Sequence, residues 1–199
     1  GGIFMWPLLL FSIASMGIIV ERIIFFLFHN LKVSDIEKDI LTPLENKNLK
    51  QAMDYCEKKP KNKIGAKIIL EGLKMAKLGE HRMEKAIESE ANEKINNLEN
   101  GFNLLTALAS LSPLTGFLGT VSGMISAFQA IANAQDVNAQ LVAGGIFEAL
   151  ITTVFGLIIA IIAISGYSLL SFVVDKFAKN IERLGTDVIT SVIINDLKD

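Results

Sequence analysis

Residues 112–156 read SPLTGFLGTVSGMISAFQAIANAQDVNAQLVAGGIFEALITTVFG, and the reading of this stretch decides the fold. Its centre is polar at Gln135, Asp136 and Asn138, while both flanks are apolar and rich in Gly, Ala, Ser and Thr. That pattern describes two membrane-spanning helices joined by a short aqueous turn, with one carboxylate, Glu148, inside the second. No Lys or Arg occurs between Lys94 and Lys176, so both flanks extend well beyond the quoted residues. Spans are predicted over residues 102–132 and 142–174, with the turn over 133–141.

Working outward, a third apolar run lies within residues 1–30. Residues 3–20 are almost wholly apolar and 23–28 continue them. As a helix this run would extend ~39 Å, against a hydrocarbon core of ~30 Å. It is too long for the core of a signal peptide, and no small-residue cleavage site follows it, so a retained span is expected. Trp6 and Pro7 suit an interface and a first helical turn. Glu21 and Arg22 read as an anchor at the other end, with Arg22 snorkelling to headgroups.

The composition agrees once its segregation is noticed. Hydrophobic residues make up 51% and mean hydropathy is +0.44, yet 20% of residues are charged. Residues 31–100 carry 14 of the 19 Lys and Arg and 13 of the 21 Asp and Glu. The positive-inside rule then places the uncharged-to-acidic turn at 133–141 outside. It places residues 31–101 and 175–199 in the cytoplasm, and the N-terminus outside. A net charge of −2 favours no nucleic-acid partner.

The cytoplasmic block reads as helices. Ser34 and Glu37 have capping-box spacing, and Pro43 and Pro60 mark breaks. Ile64, Ile68, Ile69, Leu73 and Ala76 form one apolar stripe, and Gly79 ends it. A second stripe, Met83, Ile87, Ala91, Ile95, Leu98, Phe102 and Leu105, keeps its register through Gly101 into the membrane span. It predicts one unbroken helix from about residue 80 to about 132. Glu90 and Lys94 form an i,i+4 pair in the favourable order. The tail, amphipathic at Phe177, Ile181, Leu184 and Val188, is expected to continue the third span and pack on that long helix.

Few residues carry chemistry. Cys56 stands alone and reads as an inert thiol on an amphipathic helix; His29 and His81 have no ligand cluster around them, so no metal or cofactor is expected. No nucleophile–base pair or phosphate loop points to an enzyme. In the second span Ser112, Gly116, Gly119, Thr120, Gly123 and Ala127 make a small-residue face; in the third, Gly145, Ala149, Thr152, Thr153, Gly156, Ala160 and Ala163 make another. Such faces let helix backbones approach closely in lipid. For the glycines simple helix packing is expected. Pro113 removes a hydrogen bond to Ala109 and is expected to kink its helix. Glu148 has two readings, a proton-carrying or ion-pairing group and a structural hydrogen-bond anchor. Thr120, Thr152 and Thr153 either bond their own backbones or line a narrow polar path.

These stretches resemble the ExbB/TolQ branch of the MotA/TolQ/ExbB proton-channel family, nearer to ExbB. SPLTGFLGTVSGMISAF is similar to the family's second-span motif, GGIFEALITTVFGLIIAI to its third, and MWPLLLFSIASMGIIVERI to the ExbB first span. The resemblance implies an all-α membrane protein with three transmembrane helices and long cytoplasmic helical extensions, assembled as a ring-shaped homo-oligomer, a pentamer. It implies a bacterial inner-membrane subunit that surrounds a single-span ExbD-like partner and uses the proton motive force to energise a TonB-like protein. Thr120, Glu148 and Thr153 match the positions expected to face the lumen beside the partner's aspartate, and Gly116, Gly119, Gly123 and Gly156 those that pack helices. Thr115 stands where the family usually has Leu, and Ile162 where it commonly has Pro. A TolQ-like role in envelope maintenance, a non-conducting scaffold and a flagellar-type stator are the alternatives; the stator would carry a fourth span.

Overall fold

The computed structural model describes residues 2–60, 63–133 and 139–195. Every regular element among them is helical: α1 (Met5–Phe28), α2 (Ser34–Glu45), α3 (Leu49–Lys58), α4 (Ile64–Lys74), α5 (Glu80–Leu98), α6 (Phe102–Asn133) and α7 (Ala139–Ile194), with a 3₁₀ turn at Ala76–Leu78. Three of these, α1, α6 and α7, are long and apolar enough to cross a membrane. Most of the expected 133–141 turn lies outside the described residues. The chain divides into two compact units, one of residues 1–21 and 101–169, the other of residues 22–100 and 170–199.

In the first unit, Leu105 and Ala109 of α6 and Ala163 of α7 form a core, with Ile18, Ile19 and Tyr167 packed on it. Close approach is written into the sequence here. A Cβ on Gly166 would stand 2.4 Å from Ile19 Cδ1, so any larger residue there would displace the Ile19 side chain. The Phe102 and Tyr167 rings meet edge to face at 5.7 Å. Large apolar side chains such as Phe117, Phe128 and Phe147 stay exposed, as lipid-facing residues do.

The second unit is organised as a water-soluble domain is. The predicted stripe on α4 is buried throughout, from Ile64 at 7% exposure to Ile68 and Ile69 at 0%. Ile36, Ile40 and Leu44 of α2, Met83 of α5, and Phe177, Ile181, Leu184 and Val188 of α7 complete the interior. Gly185 and Ile87 meet within this unit: a Cβ on Gly185 would lie 3.2 Å from Ile87 Cγ2, so the tail packs on α5 as expected. Asn48 caps α3, its side chain accepting from the Gln51 amide at 2.9 Å. Glu90 and Lys94 pair at 2.9 Å. Cys56 is buried, and desolvation, with the nearby Glu57 carboxylate adding to it, pushes its thiol up to about 12.

Four local expectations are corrected. The long helix is two helices: α5 ends at Leu98 and α6 begins at Phe102, with Gly101 at φ +85 between them. Leu98 of the second unit and Phe102 and Leu105 of the first are each buried, and the left-handed glycine falls between them. Secondly, Arg22 does not snorkel. It is 6% exposed, its Nη1 donates to the Asn97 carbonyl at 3.0 Å, and its guanidinium lies 4.6 Å from the centre of the Phe25 ring. Asn97 is in the last turn of α5, where carbonyls lack helical partners and a cation suits the helix dipole. Thirdly, the capping box is not used. Val33 is the cap residue of α2 with no side-chain cap bond, and its carbonyl accepts from Ile36 and Glu37. Val33 is 3% exposed, so an apolar side chain packed into the unit occupies the cap position. Finally, Pro43 sits inside α2, which ends two residues later at Glu45, while Pro60 does fall between helices.

Candidate functional site

The site lies between α6 and α7 within the first unit. Glycine controls how close the two helices come. A Cβ on Gly156 would be 2.5 Å from the Ser112 carbonyl oxygen, and one on Gly116 would be 2.9 Å from the Thr152 carbonyl oxygen. Cβ atoms on Gly119 and Gly123 would stand 2.8 Å from the Cβ atoms of Thr152 and Ala149 respectively. At these four glycines the two small faces close on each other within one chain.

This contact brings two hydroxyls together. Thr120 Oγ1 and Thr153 Oγ1 share a short hydrogen bond. Thr153 Oγ1 also donates across the helices to the Gly116 carbonyl at 3.0 Å. A hydroxyl has one proton to give, so with Thr153 donating to Gly116 the bond between the threonines is donated by Thr120. Gly116 and Ala149 carbonyls lie 3.3 and 3.5 Å from Thr120 Oγ1. The result is a pair of hydroxyls in series, each within reach of a second acceptor. Either hydroxyl can therefore exchange its donor role between the other threonine and a backbone carbonyl.

Glu148 is not part of that pair. One turn before Thr152 on α7, it lines a cavity of about 220 Å³ with Ser122, Ser126 and Thr152. Its Oε1 accepts a short bond from the Gly2 amide, and it is exposed. Thr152 is turned back to its own helix, donating to the Ala149 carbonyl at 2.7 Å. Thus Thr120 and Thr153 are brought together, and Glu148 is set apart with Thr152 and two serines, Ser122 and Ser126, that were not among the expected site residues. Ser122 and Ser126 carried a usable signal: they sit at i,i+4 on α6, beside Gly119 and Gly123. Thr115, the departure noted above, donates to the Leu111 carbonyl at 2.9 Å and is satisfied by its own helix. At Ile162, α7 runs on without interruption. Among the described residues no group of His, Cys, Asp or Glu could hold a metal.

Residues 60–183 match the MotA/TolQ/ExbB proton channel family, a region that includes α6 and the membrane part of α7. The chain belongs to this family. It is similar to biopolymer transport protein exbB1 of Vibrio cholerae, at 29% identity over 92% of this chain and 81% of that protein. It is similar to ExbB-like 1 of Synechocystis sp., at 32% identity over 89% of this chain and 72% of the relative. The Tol-Pal system protein TolQ of Haemophilus influenzae is 43% identical over a shorter stretch, 48% of this chain and 42% of TolQ. As a MotA/TolQ/ExbB protein the chain is a membrane protein of a channel family, not of an enzyme family.

Proposed function

We propose that the chain is an inner-membrane proton-channel and motor subunit. With an ExbD-like single-span partner it uses the proton motive force to energise a TonB-like protein for outer-membrane transport. The observation that carries this reading is the hydroxyl pair of Thr120 and Thr153, held in register by glycines at a helix contact where the other buried hydroxyls, of Ser112 and Thr152, are turned back to their own helices. Thr120, Glu148 and Thr153 face the lumen of a homopentameric ring, and the partner's carboxylate supplies the titrating acid that the threonines lack. The ring sits with its N-terminus in the periplasm and its C-terminus in the cytoplasm, as the absence of Lys and Arg between Lys94 and Lys176 supports.

A TolQ-like role in envelope maintenance is the second reading, favoured by the 43% identity to TolQ over 96 residues. The two share the proton path and differ in the protein that receives the force. Proteoliposomes containing the chain, with and without the partner, test the shared part. Inward proton flux is expected only with both proteins present, and an imposed sodium gradient is expected to drive no current. Wild-type flux in both Thr153→Val and Glu148→Ala would remove these residues from the path, and no flux above that of empty liposomes with both proteins present would favour a passive scaffold.

A further inference from the structure

The second unit carries a groove between α5 and α7 of about 590 Å³ that the proton path does not use. Its floor is apolar, made by Ile87 and Ile95 of α5 and Ile181 and Ile189 of α7. Gly185 deepens it, since any larger residue there would press on Ile87. The rim is acidic. Glu80, Glu84 and Glu88 follow one another at i,i+4 spacing along α5, and Glu182 projects from α7; all four are exposed. None of the four makes an ion pair among the described residues, and no Lys or Arg lines the groove. Arg183, next to Glu182, has Asp187 as its partner, with Nε 3.9 Å from the carboxylate.

Four unpaired carboxylates over an isoleucine floor form a one-signed, half-apolar surface. Like charges at i,i+4 destabilise a helix slightly, so the row gives α5 nothing in return within the chain. Its complement is an amphipathic helix with an apolar stripe flanked by Lys and Arg. From Glu80 to Ile95 the α5 side runs ~22 Å, which fits about four helical turns.

We infer that this groove docks the basic, amphipathic cytoplasmic flank of a membrane-spanning partner. The choice of occupant rests on the orientation proposed above, which puts this unit in the cytoplasm, where the flanks of spanning helices are enriched in Lys and Arg. Docking there would tie the partner to the ring at a point outside the membrane.

The test uses the full chain in nanodiscs of zwitterionic lipid and a fluorescent Leu–Lys helical peptide of roughly 15 residues. It needs no proton flux, so its outcome is separate from that of the channel reading. Saturable binding is expected, weakening as salt is raised. The triple variant Glu84→Gln, Glu88→Gln, Glu182→Gln is expected to bind about tenfold more weakly and to lose most of the salt dependence. An Asn92→Cys thiol in the groove is expected to react readily with a maleimide and to be protected by the peptide; Cys56, being buried, contributes little background. Unchanged affinity in the triple variant would overturn the proposal. So would protection of the Asn92→Cys thiol before peptide is added, since a second copy of the chain would then already cover the groove.

Discussion

The two units of this chain are held together by opposite kinds of residue. In the first, α6 and α7 meet through Gly116, Gly119, Gly123 and Gly156, and their large side chains point away from the contact. In the second, Ile, Leu, Met and Phe fill the interior while the charges, Arg22 apart, lie outside it. The difference follows from the solvent. Lipid gives no hydrophobic reason for two helices to associate, so contact area must come from backbones brought close by small residues. Water expels large apolar side chains, so the second unit gains most from burying them. Polar atoms are therefore placed differently too: hydroxyls at a helix contact in one unit, ion pairs at a surface in the other.

The comparison breaks most easily where it is tightest. Gly156→Leu puts a side chain against a backbone carbonyl that cannot turn aside, and a loss of about 3 kcal/mol or more is expected. The assay is the yield and denaturant resistance of monodisperse protein, with Gly17→Leu, which meets nothing within 4 Å, expected to behave as wild type. Next comes the second unit's version of the same damage. Ile68→Ala opens a cavity in a fully buried site and is expected to cost ~2–5 kcal/mol, read as a lower thermal midpoint. The opposite substitutions are thus damaging in the two units: a residue made larger in one, smaller in the other.

Smaller effects sharpen the picture. Cys56 has its proton held more tightly in the folded state, from an ordinary value of 9.0 up to about 12. Its contribution is fully present below the ordinary value and is lost as pH rises toward about 12, because the unfolded thiol ionises first. Over that window wild type is expected to lose stability more steeply than Cys56→Ala, measured by denaturation at fixed temperature. The smallest effect belongs to Lys94→Ala. Its pairs with Glu90 and Glu93 are at the surface, so a change within about 0.5 kcal/mol is expected.

The elements that were legible in sequence are those whose signal is periodic. The three spanning helices, the α4 stripe and the amphipathic tail repeat one pattern over many residues, and burial follows it. What was hidden depends on single residues or on distant partners. The break after Leu98 leaves the spacing of apolar residues in the sequence unchanged, so only the backbone angle at Gly101 reveals it. Arg22 is caught by a carbonyl 75 residues away in the chain, which no local pattern encodes. At the site, small residues announced close packing but not which helix would receive it. Thr120 and Thr153 were legible as candidates, yet their separation from Glu148, which keeps company with Ser122 and Ser126, required the geometry.

The central claim is that the Thr120–Thr153 hydroxyl pair carries protons and does not merely fasten α6 to α7. Removing the Thr153 hydroxyl as Thr153→Val should cost only ~1 kcal/mol of stability. The decisive measurement is partner-dependent proton flux into proteoliposomes for wild type, Thr153→Ser and Thr153→Val, each checked for intact oligomer. The account predicts that flux is retained with serine and abolished with valine. Equal flux in the valine variant, with the oligomer intact, would contradict it.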